Sequence, residues 1–212
     1  MVSNQGVLVL GTTVSLPVSA FPPLALGFMG LGTGYLIYGL QELFGYPKRS
    51  VDNDVTTGIW GIWLPGFFQF VAGLFLFAGL TLFGTFTAAP LYMAALAFTS
   101  YGIHWFAIGW IRIRGKGDSR INVGMTIAFT AISVLGTLVF LGAHDDPVAG
   151  VFIGLICVYV ADMAASMKPD LPKVGALGGR ALGFFHLGTG LWLMYMMFAV
   201  TLDFTIGYHW IT

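Results

Sequence analysis

Six stretches of this chain stay apolar over roughly the 20 residues that a helix needs to cross a bilayer's hydrocarbon core. They run over about 23–45, 56–83, 89–111, 121–142, 147–167 and 178–205. Turn-forming residues or charges separate them, at Tyr46-Pro47-Lys48-Arg49, Ala89-Pro90, Gly115-Lys116-Gly117-Asp118, Asp145-Asp146-Pro147 and Lys168-Pro169-Asp170. Composition leaves little room for another class. The 212 residues are 57% hydrophobic and only 8% charged, so too few polar residues exist to cover a soluble core of this size. The expected fold is an all-α membrane protein of six transmembrane helices. The expected organisation is an extracytoplasmic N-terminal segment over 1–22, a transmembrane domain over 23–205 and a short C-terminal tail over 206–212. The first residues lack the basic stretch of a signal peptide, which keeps them in the mature chain.

Charge orients the bundle. Lys48 and Arg49 fall in the first connection, Arg112, Arg114, Lys116 and Arg120 around the third, and Lys168, Lys173 and Arg180 around the fifth. All nine basic residues therefore lie on one side. The positive-inside rule makes that side cytoplasmic and puts both termini outside, in the cell (inner or plasma) membrane. A net charge of zero argues against nucleic-acid binding, and the single Cys157 excludes a disulfide framework or a thiolate metal site.

The 30 glycines suit close helix packing, with Gly27, Gly30, Gly32 and Gly34 in the first span and Gly179 and Gly183 opening the sixth. Ala95-Leu96-Ala97-Phe98 with Gly102 echoes Ala181-Leu182-Gly183-Phe184 with Gly188. The echo relates spans three and six, which run in opposite directions, as an inverted three-plus-three repeat would require.

Polar residues inside the spans are few, and each needs a partner or a watery path. Residues 97–105, Ala-Phe-Thr-Ser-Tyr-Gly-Ile-His-Trp, place Thr99, Ser100, Tyr101 and His104 in the third span. Tyr101, His104 and Trp105 share a helix face. Gln69 and His186 lie in the second and sixth spans. Two readings stay open for these groups: interhelical packing, or the lining of a route for a polar solute. An imidazole at position 104 either senses pH or bonds, neutral, across a helix contact. Glu42 and Asp162 fall toward the cytoplasmic ends of their spans, as interfacial or structural acids. No catalytic, phosphate-binding or metal-ligand motif occurs, so neither enzyme activity, a metal nor a cofactor is expected.

Ala97–Trp105 resembles the AFTSYGxFW signature of the acetate uptake transporter family, the six-helix carriers of acetate and related carboxylates. Gln69-Phe70-Val71-Ala72-Gly73-Leu74 is similar to that family's QxxAGL, and Pro22–Gly30 partly matches its NPAPLGxMG. Pro22 stands there for the Asn and Ala25 for the second Pro, and His104 replaces an aromatic of the signature. The resemblance implies a hexamer with a solute path and a narrow Phe–Tyr–Leu constriction in each protomer. It puts Leu31 at the Phe position, Tyr101 at the Tyr position and Leu155 at the Leu position, with Gln69, Thr99, Ser100, His104 and His186 as candidate polar lining. The implied partners are a small solute, the bilayer and further copies of the chain.

The urea and amide channel family competes. Asp146–Val151 and Gly179-Arg180-x-x-Gly183 resemble its members, as does the orientation with termini outside, whereas Thr189 stands where those channels place Glu or Gln. The function expected is passage of acetate or a similar short-chain monocarboxylate, taken with a proton or as the neutral acid. A urea or amide channel is the alternative. A non-transporting membrane subunit of a larger complex is a third.

Overall fold

The computed structural model describes residues 6–9, 12–15 and 19–207. Residues 208–212 of the expected C-terminal tail lie outside the described residues. Six helices form the body: α1 (Phe21–Phe44), α2 (Val51–Leu82), α3 (Pro90–Arg114), α4 (Asn122–Gly142), α5 (Asp146–Ser166) and α6 (Pro172–Ile206). All six are long and apolar enough to cross a membrane. Ahead of them the N-terminal segment adds an element beyond the helical expectation. Strands β1 (Gly6–Val9) and β2 (Thr12–Ser15) pair antiparallel, from Gly6 opposite Ser15 to Val9 opposite Thr12. The β-branched Val and Thr of this stretch favour that extended backbone.

Pro stands in the first turn of α1, α3, α5 and α6, where a missing N–H costs nothing. Gly45, Gly115 and Gly207 end α1, α3 and α6 in the left-handed conformation. Two helices start earlier than hydropathy suggests, α2 at Val51 and α6 at Pro172. Their polar first turns are stabilised as helix outside the apolar window, with Ser50 capping α2 by accepting from the Asn53 N–H at 3.2 Å.

Within α2, Ile62–Phe68 and Ala78–Leu82 widen into π turns. Pro65 sits inside the first and donates no backbone hydrogen bond, which is one recognised cause of such local widening.

Glycines set which helices touch. α1 lies along α6, where a methyl placed on Gly39 would sit 3.0 Å from the Gly183 carbonyl oxygen. It meets α2 where a methyl on Gly34 would sit 2.6 Å from the Pro65 ring. Along α2 and α3 a methyl on Gly102 would lie 2.7 Å from the Phe70 nitrogen and 2.8 Å from the Gly66 oxygen. Backbones this close leave no room for any side chain but hydrogen. Gly183 touches α1, whereas Gly179 meets nothing within 4 Å. The outward faces carry large apolar residues, among them Trp60, Trp63, Phe75, Leu138 and Phe198. Such a surface suits hydrocarbon rather than water.

Candidate functional site: two cavities and the neck between them

One face of α1 explains how the site is built. Phe28, Leu31, Tyr35, Tyr38 and Glu42 recur at three- and four-residue spacing, so they form a single stripe. The α3 stripe is Leu91, Ala94, Phe98, Tyr101, Trp105, Ile108 and Arg112. On α5 it is Val148, Val151, Leu155, Val158 and Asp162. These stripes face one another, and two cavities open between them.

The first cavity, of about 140 Å³, uses the halves of α1, α3, α5 and α6 that lie toward the chain termini. Its walls include Phe28, Leu31, Phe98, Tyr101, Leu155 and Leu193, with Gln69 as the sole contribution of α2. It shares Leu24, Phe28, Asp145 and Val148 with a wider vestibule of about 370 Å³ at the same end. Asp145 marks this mouth, its carboxylate accepting from the Val148 N–H at 3.2 Å. Desolvation raises the Asp145 pKa, and the Val148 hydrogen bond partly offsets that.

The second cavity, of about 130 Å³, lies between the opposite halves of the same helices. Its character is ionic. Glu42, Asp162, His104, His186 and Arg112 all line it, together with Tyr35. His186 Nδ1 stands 2.6 Å from Glu42 Oε2, and Ser166 donates to Asp162 at 3.5 Å. Arg112 closes the cationic end: its guanidinium donates to the Gln41 amide oxygen, sits 3.8 Å from Asp54 and lies 3.9 Å over the Tyr38 ring. Of the nine basic residues, this one is drawn into the bundle.

The two cavities share no lining residue. Leu31, Tyr101 and Leu155, the three constriction residues expected from the resemblance, line the terminal-side cavity and are 1%, 1% and 2% exposed. Immediately beyond them an aromatic layer packs across the bundle. Tyr101 stacks on Tyr159 with ring centroids 5.6 Å apart, Tyr159 on Phe129 at 5.3 Å, and Tyr35 lies 4.4 Å from the His186 ring. The Tyr101 hydroxyl is 2.9 Å from Ser133 Oγ. Ser133 spends its own proton on the Phe129 carbonyl at 2.7 Å, so Tyr101 is the donor of that pair.

The expected polar residues divide. Gln69 reaches the terminal-side cavity, and His104 and His186 reach the ionic one. His104 packs against Phe129 at 5.0 Å. Thr99 donates to the Ala95 carbonyl at 2.8 Å on its own helix and packs against Gly73 of α2. Neither Thr99 nor Ser100 lines either cavity. Glu42 and Asp162, read from sequence as interfacial or structural acids, line the ionic cavity together with the two histidines. The sequence signal for this convergence, unused in the sequence reading, is the α1 stripe that ends on Glu42.

Six apolar helices thus surround two cavities, one apolar and one ionic, with stacked aromatic rings joining their walls. The fold is similar to that of the solved bacterial acetate channel SatP, with a TM-score of 0.68 and 18% sequence identity over 90% of this chain and 97% of that one. This likeness in fold agrees with the resemblance that AFTSYG and QxxAGL carry. No protein-family model matches the chain, and no curated protein matches it.

Proposed function

We propose that this protein passes acetate or a similar short-chain monocarboxylate across a membrane, along the axis that joins the two cavities. The observation that supports this reading is an apolar chamber lined by Leu31, Tyr101 and Leu155, joined to an ionic chamber through the stacking of Tyr101 on Tyr159, in a fold similar to that of an acetate channel. A carboxylate stripped of water in the apolar chamber loses hydration energy that one neutral amide, Gln69, does not replace, whereas the neutral acid loses far less. The solute therefore crosses as the protonated acid. On the far side, the Glu42–His186 pair and Asp162 provide acceptors for the proton that the acid releases. We further propose the hexamer of the resemblance, an inverted three-plus-three arrangement of the spans, and termini outside the cytoplasmic (inner or plasma) membrane.

The test is uptake into proteoliposomes holding the purified protein, with labelled acetate, acetamide and urea offered at several pH values. Above the pKa of the acid, each unit of pH lowers its neutral fraction about tenfold. Acetate flux is expected to fall in that proportion as pH rises, while acetamide flux stays level. Urea flux without acetate flux would transfer the protein to the urea-channel reading. Absence of flux for all three would leave the non-transporting subunit.

A further inference from the structure

The amide of Gln69 is fully buried, at 0% exposure, and neither its Oε1 nor its Nε2 has a hydrogen-bond partner in the protein. Buried amides are almost always paired, because leaving both ends unmade is costly. The burial face of α2 explains how Gln69 gets there. Ala72, Gly73 and Leu76 share that buried face, Gly73 lies against Thr99 of α3, and one turn earlier Gln69 lines the terminal-side cavity together with Leu31 and Tyr101.

The rest of that cavity offers little to a polar solute. Its other walls are aliphatic and aromatic, apart from Tyr101 and Asp145. Tyr101 has committed its proton to Ser133, so its hydroxyl is left as an acceptor. Asp145 sits at the mouth and is engaged by the Val148 N–H. Among the described residues lining the cavity, Gln69 alone presents a donor and an acceptor side by side.

We infer that Gln69 is the solute-recognition residue of this channel, selecting a planar neutral solute that carries a donor and an acceptor on one carbonyl carbon. A protonated carboxylic acid meets that description: its carbonyl accepts from Nε2 while its hydroxyl donates to Oε1. A primary amide meets it too. A carboxylate does not, because both its oxygens are acceptors and one would face Oε1 with no proton between them. This inference rests on the transport reading above and deepens it. The neck excludes by size and desolvation; Gln69 adds recognition of the protonated form.

The experiment compares wild type, Gln69→Met and Gln69→Asn in proteoliposomes, with labelled acetate at low pH and labelled acetamide as probes, and adds thermal unfolding of each purified protein. Met keeps the length and removes both polar ends. Asn keeps the amide but withdraws it by one methylene. Gln69→Met is expected to lose about tenfold in flux of both probes, as loss of a paired hydrogen bond implies, with Gln69→Asn between it and wild type. Its melting temperature is expected to equal or exceed that of wild type, because an unpartnered buried amide has been replaced by an apolar group. Undiminished flux in Gln69→Met would overturn the inference. So would a lowered melting temperature or failure to fold, since either would mean that the amide serves the protein and not a solute. A wild type that carries neither probe would instead remove the transport reading on which the inference stands.

Discussion

Tyr101→Ala is expected to widen the proposed neck, raising acetate flux severalfold and increasing the flux of longer acids such as butyrate relative to acetate. The ring is 1% exposed and packs between Phe129, at 5.4 Å, and Tyr159, at 5.6 Å, so its removal opens space in the dividing layer itself. The same loss of packing is expected to cost about 3 kcal/mol of stability, in the range seen when a buried aromatic is cut to Ala. Tyr101→Phe separates size from hydrogen bonding. It keeps the ring and gives up only the bond to Ser133, whose own proton is already placed on Phe129. That variant is expected to lose about 1 kcal/mol and to conduct with unchanged selectivity. Uptake of a ladder of acids of rising length, with thermal unfolding in detergent, checks both substitutions.

Gly102→Val is expected to abolish the folded protein. Any Cβ at this position meets the backbone of α2, 2.7 Å from the Phe70 nitrogen and 2.8 Å from the Gly66 oxygen, and backbone cannot rotate out of the way as a side chain can. Even Gly102→Ala should cost about 3 kcal/mol, the upper part of the range for overpacking a close-fitted interior. The consequence reaches the site, because forcing α2 from α3 withdraws Gln69 from the cavity it lines. Gly179→Val is the control, since nothing lies within 4 Å of a methyl there. Size-exclusion profiles of the detergent-extracted proteins should show a monodisperse peak for Gly179→Val and an aggregated one for Gly102→Val. The contrast separates a glycine that two backbones require from one that composition alone would count as equivalent.

Particular residues show how far sequence reasoning carried. The six spans were legible because hydrocarbon thickness demands a fixed length of apolar helix, whatever the tertiary arrangement. The first turns of α2 and α6 were not, since helical backbone hydrogen bonding continues past the apolar stretch, which hydropathy does not register. Thr99, Ser100 and Tyr101 look alike as polar groups within a span. Successive residues rotate by about 100° around the helix, so Thr99 turns toward Gly73 of α2 while Tyr101 turns toward the cavity. Which helix stands on which side is a tertiary fact that no single span encodes. For Glu42 and Asp162 the sequence left open which neighbours they meet, for the same reason. Each lies near a helix end, but both point inward to His186 and His104 and not outward to the interface. Gln69 was visible as a polar group in an apolar span, whereas its lack of any protein partner needed the packed structure.

The path itself can be tested without relying on a change of packing. Val148 lines both the vestibule and the terminal-side cavity, and Cys157, the sole native cysteine, lines neither. In a Cys157→Ser background, Val148→Cys can be labelled with a bulky thiol reagent that forms a disulfide, with labelling confirmed by mass spectrometry. Acetate uptake into proteoliposomes at low pH is then measured before labelling, after it, and after reduction. The account predicts that flux stops on labelling and returns on reduction. Undiminished acetate flux through fully labelled protein would contradict a route through these cavities and the Leu31–Tyr101–Leu155 neck.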